Sequence, residues 1–309
     1  MFVEITRMNY EGKLIMTSLD MQTQSSDSTI IRFWQRIPIW IRAIVLAFIV
    51  TMIGVYAWLV TLVLIPAPWS IPVMGGVLWI YWKYFTGSWW PKSTAKARNK
   101  SFRAIKLSKP VWKWGLVAVV LFVVAVQSSF VLTFRIIEFP AETFTSGYSF
   151  DAMPLWLAWP YIIMSALVAG ICEETGFRGY GQVALEEGYG PGVGITIVSI
   201  LFLLVHLNQA WAPPVLVHIF AISVLLGILA YTSDSLIPCI IAHTVMDIFN
   251  FSYWWSDVLG KFENQPIALT GIDFHFITWF LIFAISIVLF FWSTRKTMAV
   301  RQQTNVNGS

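Results

Sequence analysis

Apolar residues fill this chain in long blocks, and charged residues fall mostly in the short gaps between them. The first block runs from about Ile39 to Ile65 behind Arg32, Arg36 and Arg42, long enough at ~1.5 Å per residue to cross a ~30 Å hydrocarbon core. Pro66, Pro68 and Pro72 punctuate a reversal into a second, Trp-rich block ending near Gly87. A third spans about Trp114 to Ile137, and a fourth begins near Met153 and passes through Ile171. The helix of the fourth should continue over Gln182 to Glu187, which are mostly good helix formers, until Gly188, Gly190, Pro191 and Gly192 break it. Blocks five to eight cover about Gly194 to Leu207, Pro214 to Tyr231, Leu236 to Trp254 and Phe274 to Trp292. The pattern predicts an all-α, polytopic membrane protein of about eight transmembrane helices.

Composition agrees: 57% of the 309 residues are hydrophobic and only 12% charged, too apolar for an ordinary soluble domain. Nearly every connection is too short to fold alone, so residues 31–296 read as one transmembrane domain. Residues 1–30 form a polar tail with Gln22, Gln24, Ser25, Ser26 and Ser28 clustered, expected to be disordered, and 297–309 form a second tail. The head lacks the apolar core and small-residue site of a cleavable signal, and Met16 and Met21 are alternative starts. Cys172 and Cys239 both lie in apolar segments, which reads as packing rather than a disulfide framework.

Charge sets the orientation. Between Pro91 and Lys113 stand Lys92, Lys96, Arg98, Lys100, Arg103, Lys106, Lys109 and Lys113 without one acidic residue. Such a run could bind nucleic acid, but between two spans the positive-inside rule explains it better, with anionic headgroups as secondary contacts. This loop is therefore expected in the cytoplasm, and Glu138, Glu142 and Asp151 on the far side. Arg295 and Lys296 follow the last span, so eight crossings put both termini in the cytoplasm.

Against this background, Ile171-Cys172-Glu173-Glu174-Thr175-Gly176-Phe177-Arg178 is conspicuous. A charged side chain within a bilayer costs roughly 2.5–3.5 kcal/mol on insertion scales, so it is paired, turned into a cavity, or functional. Neighbouring helical residues point about 100° apart, so the two glutamates cannot serve one spot equally. Glu174 stands four residues before Arg178, the favoured order for a helical ion pair, which leaves Glu173 without a local cation. A free carboxylate in an apolar, partly wet cavity suits a general base. The bland alternative is one interfacial salt-bridge cluster that ends a helix.

Phe202 and His206 share a helical face, as do His243, Asp247 and Asn250. Counted from their cytoplasmic turns, Glu173 and His206 lie roughly 20 Å deep but His243 only about 10 Å, so the helices must tilt or start at different depths for the three to meet. His218 has no polar neighbour at helical spacing and reads as structural; His275 reads as interfacial.

Glu173-Glu174-x-x-x-Arg178, Phe202-x-x-x-His206 and His243-x-x-x-Asp247, in this order over about Leu155 to Phe251, resemble the CPBP family of intramembrane proteases. That family includes type II CAAX prenyl proteases and bacterial proteins linked to bacteriocin processing or self-immunity. The resemblance implies hydrolysis of a peptide bond in a hydrophobic or membrane-associated peptide, in a cell membrane and expectedly a bacterial cytoplasmic one. It implies that Glu173 and His206 activate water while His243 and the residue four later stabilise the oxyanion. Asp247 departs from the asparagine of the CAAX proteases, and an ionised carboxylate cannot donate to an oxyanion. Asp247 is then protonated, or Asn250 supplies the donor, or Asp247 orients His243. A further option is Zn²⁺ on Glu173, His206 and His243, although the His-Glu-x-x-His signature is lacking. Two other readings stand beside the protease: a non-catalytic immunity or regulatory protein of the same fold, and a proton-coupled transporter, against which the absence of an internal repeat counts.

Overall fold

The computed structural model describes residues 29–103, 107–138, 149–209 and 213–307. The polar cluster Gln22 to Ser28, the alternative starts Met16 and Met21, and the loop residues Lys106 and Glu142 lie outside the described residues. All regular structure among the described residues is helical. The chain divides into two units, 1–42 and 43–309. In the first, helix α1 covers Thr29–Arg36.

Among the described residues six helices are long and apolar enough to cross a membrane: α2 (Ile39–Leu64), α5 (Lys109–Ile136), α6 (Leu155–Tyr189), α8 (Pro213–Ser233), α9 (Leu236–Trp254) and α11 (Phe274–Asn307, apolar to Thr304). Between them lie α3 (Ser70–Phe85), the surface helix α4 (Ala95–Phe102), α7 (Pro191–Val205) and the single turn α10 (Ile267–Thr270). This is a multi-pass membrane protein, and each of the eight apolar blocks became a helix. Two of them are short: α3 has 16 residues and α7 has 15, about 22–24 Å at 1.5 Å per residue, less than a full hydrocarbon core.

The helical pairs that build the bundle are α5 with α11, α6 with α9, α7 with α8, and α5 with α9. Lipid cannot drive these contacts by hydrophobicity, so close approach between small residues matters. A side chain at Gly170 would collide with Thr244 Oγ1 and the backbone at Ile240, and one at Gly176 with Thr51 and the carbonyl of Ala47. These two glycines let α9 and α2 lie against opposite stretches of α6. Both cysteines are free and buried. The outward faces stay apolar, as on α11, where Phe274, Phe280, Leu281, Ile285 and Val288 are exposed.

Two features depart from the sequence expectation for physical reasons. Helix α11 continues past Trp292 because Ser293, Thr294 and Thr297 turn inward and Arg301 donates to the carbonyls of Tyr231 and Thr232 at the end of α8. In the basic loop, Arg98 and Arg103 are buried, so they serve the fold and not lipid headgroups. Arg98 donates to the carbonyls of Tyr84, Trp89 and Pro91, closing the end of α3. Arg103 pairs with Glu186 of α6 and lies 3.6 Å from Asp234, which precedes α9.

Candidate active site

Helix α6 does continue through the glutamates, but not as a regular α-helix. Thr175–Gly181 forms a wide π turn in its middle, a local distortion that recurs at functional sites. The glycines at 176, 179 and 181 make the widened turn sterically accessible, and Gly179 lies close to the carbonyl of Ser101. A second π turn, Asn250–Trp254, ends α9.

The two adjacent glutamates have separate environments. Glu174 is fully buried, and its Oε1 accepts from Arg178 Nη1 at 2.9 Å and from His243 Nδ1 at 2.7 Å. The Arg178 guanidinium also donates to Ser223 Oγ (2.7 Å) and the Ser223 carbonyl (3.2 Å) on α8, and lies 4.6 Å from the centre of the Phe202 ring. One buried ion pair therefore joins α6, α7, α8 and α9. Glu173 has no such partner: its Oε2 is buried without a hydrogen bond and stands 3.7 Å from His206 Nε2, beyond hydrogen-bond reach.

His206 follows the last residue of α7. Its Nδ1 lies 2.7 Å from the Phe202 carbonyl, which can only accept, so Nδ1 carries a proton and in the neutral ring Nε2 presents a lone pair toward Glu173. Phe202 stacks on this imidazole at 4.2 Å and meets the His243 ring edge-on at 6.0 Å. Phe202 thus spaces the two histidines.

On α9, His243 Nε2 lies 3.4 Å from Asp247 Oδ2, and Asp247 Oδ1 accepts from Asn250 Nδ2 at 3.3 Å. The chain of contacts continues from Asn250 Oδ1 to Gln127 Nε2 (3.4 Å) and from Gln127 Oε1 to Trp254 Nε1 (2.8 Å). Asp247 sits between two donors, the geometry of a carboxylate that orients His243. His206, His243, Asp247 and Asn250 all line one apolar-walled cavity of about 60 Å³.

The depth discrepancy for His243 is resolved by where α9 begins. Ser233, Ser235 and Leu236 are buried and Asp234 between them is half-exposed, so the turn between α8 and α9 packs against the protein with one side open. Arg103 places Asp234 at the level of Glu186, about one helical turn deeper than the break at Gly190. Starting deeper, the short climb to His243 reaches the level of Glu174.

All eight residues singled out in the sequence, Glu173, Glu174, Arg178, Phe202, His206, His243, Asp247 and Asn250, are thus connected through contacts or the shared cavity. Two further residues of the site belong to no sequence motif. Ser223 receives Arg178, and Gln127 extends the polar chain to α5; a lone glutamine within an apolar span was its available signal. His218, expected to be only structural, lines the same cavity. His275 instead lies at the head of α11, 2.7 Å from Arg135.

Of the suggested zinc ligands, Glu173 and His206 face each other at 3.7 Å, while His243 is engaged by other carboxylates. His243 has a carboxylate on each ring nitrogen, and among the described residues no group of three or more His, Cys, Asp or Glu side chains is arranged to hold a metal.

Residues 154–249 match the family model described as Type II CAAX prenyl endopeptidase Rce1-like. The match bears out the resemblance to CPBP intramembrane proteases over nearly the span in which the motifs were read, and contains all the residues above from Glu173 to Asp247. No curated protein and no solved structure matches the chain.

Proposed function

We propose that the protein is an intramembrane endopeptidase that hydrolyses a peptide bond of a hydrophobic or membrane-associated peptide. The observation carrying this reading is the pair Glu173 Oε2 and His206 Nε2, two uncommitted acceptors 3.7 Å apart. Across such a gap a single water can give one hydrogen bond to each, leaving an oxygen lone pair for the scissile carbonyl. Attack forms the C–O bond; the water proton passes to Glu173 and then to the leaving nitrogen as the C–N bond breaks. The Phe202 carbonyl holds the tautomer of His206 that this step needs.

His243 is kept in place by Glu174 and Asp247, while the Asn250 amide has a second N–H beyond the one given to Asp247. That N–H is the neutral donor for the oxyanion, and a preorganised donor of this kind is commonly worth about 3–4 kcal/mol. Asp247, in this reading, acts through His243 and Asn250. The donor set favours a metal-free reaction. In this reading both termini face the cytoplasm and the reaction lies toward that leaflet of a bacterial membrane; the run of basic residues in the loop before α5 supports this orientation by the positive-inside rule.

The test is cleavage of a library of membrane-associated peptides by purified wild type, Glu173→Ala and Glu174→Ala in nanodiscs, with a chelator titration alongside. Expected are cleavage by the wild type, its abolition in Glu173→Ala with folded protein retained, and indifference to chelator. Equal cleavage by wild type and Glu173→Ala removes the protease reading; a chelator-sensitive wild type removes the metal-free mechanism. Cleavage by no form leaves the immunity or transport readings in its place.

A further inference from the structure

His218 of α8 is a polar group in the candidate site that the proposed reaction does not use. Its ring packs on Phe130 at 4.2 Å, and its Nδ1 lies 3.2 Å from Ser129 Oγ on α5. Ser129 has one hydroxyl proton, which it donates to the Val126 carbonyl at 2.7 Å. Its oxygen therefore faces His218 as an acceptor, and His218 Nδ1 must be the donor. In the neutral ring this leaves Nε2 with a lone pair, and that atom is buried with no hydrogen-bond partner.

The ring lines the cavity of His206, His243 and Asp247, and also an adjoining cavity of about 220 Å³ that extends to Phe283 and Ile287 of α11. Thr133, His218 and Ile222 are common to both. A chain passing from one cavity to the other passes this imidazole. An extended peptide brings buried backbone N–H groups with it, and each needs an acceptor. Asp247 is occupied by His243 and Asn250, and His206 Nε2 faces Glu173.

Resting on the protease reading, we propose that His218 Nε2 accepts a backbone N–H of the substrate peptide beside the scissile bond and so fixes the register in which the peptide is cut. Ser129 is the positioning residue that sets the required tautomer.

The test uses an internally quenched peptide from the library, cleaved by the wild-type protein in nanodiscs, and a version with the flanking amide N–H replaced by an ester oxygen. His218→Leu should raise KM for the amide peptide about tenfold with kcat little changed, the worth of one neutral hydrogen bond. His218→Gln, whose amide oxygen can stand near Nε2, should recover most of that loss. The ester should cost the wild type about the same factor and cost His218→Leu nothing further. Wild-type kinetics in His218→Leu, equal impairment in Leu and Gln, or undiminished ester sensitivity in His218→Leu would each overturn the proposal while leaving the protease reading intact. As a readout independent of turnover and of variant folding, ¹⁵N NMR of histidine in the wild-type protein without peptide should show His218 protonated at Nδ1 and bare at Nε2; the opposite tautomer refutes the proposal. A wild type that cleaves no peptide overturns both readings together.

Discussion

Replacing each of the two adjacent glutamates by alanine should have very different effects on stability although both lie in one helix of the membrane. Glu174→Ala removes the acceptor of two hydrogen bonds, 2.9 Å from Arg178 and 2.7 Å from His243, and leaves a fully buried guanidinium with only neutral partners, the Ser223 oxygens and the Phe202 face. Removing one member of a buried ion pair costs about 3–5 kcal/mol, because the remaining charge stays desolvated. At about 2–4 °C per kcal/mol for a chain of this order, the thermal midpoint falls by roughly 6–20 °C. Glu173→Ala removes a carboxylate oxygen that is buried without a partner, so a desolvation cost disappears and no hydrogen bond of that oxygen is lost. Its midpoint should stay within about 2 °C of the wild type or rise. Unfolding in nanodiscs can be followed by the fluorescence of the 17 tryptophans. The Arg178→Leu variant should lose as much as Glu174→Ala, and the double variant Glu174→Ala/Arg178→Leu should recover part of the loss. A Glu173→Ala midpoint as low as that of Glu174→Ala, or additive losses in the double variant, would refute the division of labour between the two carboxylates.

Other expectations rest on separate parts of the fold. Gly170→Leu drives a side chain into Thr244 and the α9 backbone, and should cost at least about 1–3 kcal/mol by overpacking, read as a lower thermal midpoint and loss of cleavage together. Arg103→Ala leaves the partly buried Glu186 with only the Gln182 amide as partner and releases Asp234, so it should lower stability, by less than the about 3–5 kcal/mol of a fully buried pair, and also impair cleavage, since the start of α9 sets the height of His243; unchanged activity in folded protein would contradict the depth argument. On the opposite side, Arg135 donates to both Asp273 oxygens at 2.8 and 3.2 Å, and these bonds hold the Asp273 carboxyl below its usual range. A depressed carboxylate contributes stability that is present above its unfolded value near 3.9 and fades as the pH falls through the folded one. Asp273→Asn should therefore destabilise at neutral pH but flatten the acid loss below about pH 4, seen in thermal midpoints against pH; parallel curves for the two proteins would refute it.

Which parts of this architecture could be read from the chain depends on how far apart the partners lie. Glu174 and Arg178 are four residues apart on one helix, so the pair is a local property, and the neighbour left over follows from helical geometry alone. The apolar blocks are equally local, and each became a helix; α3 and α7, ended at Thr86 and His206, are about as short as their blocks, whereas α11 runs on past Trp292. The height of His243 is not local. It depends on Arg103, more than a hundred residues earlier, drawing Asp234 toward Glu186, and a count from the apparent turn carries no trace of that bond. Gln127 and Ser223 escaped for the same reason: neither belongs to a motif, and each acquires a role only when α5 or α8 packs against α9 or α6. The π turn lies between these cases, since Gly176, Gly179 and Gly181 are visible as a cluster but the distortion depends on the close approach of α2 and of the backbone at Ser101. His218 has no polar neighbour along its own helix, and helical spacing is blind to a serine on α5. In a bundle where buried polar groups must find partners inside the protein, an isolated histidine in an apolar helix implies a partner on another helix, and here that partner fixes which nitrogen is left for a ligand.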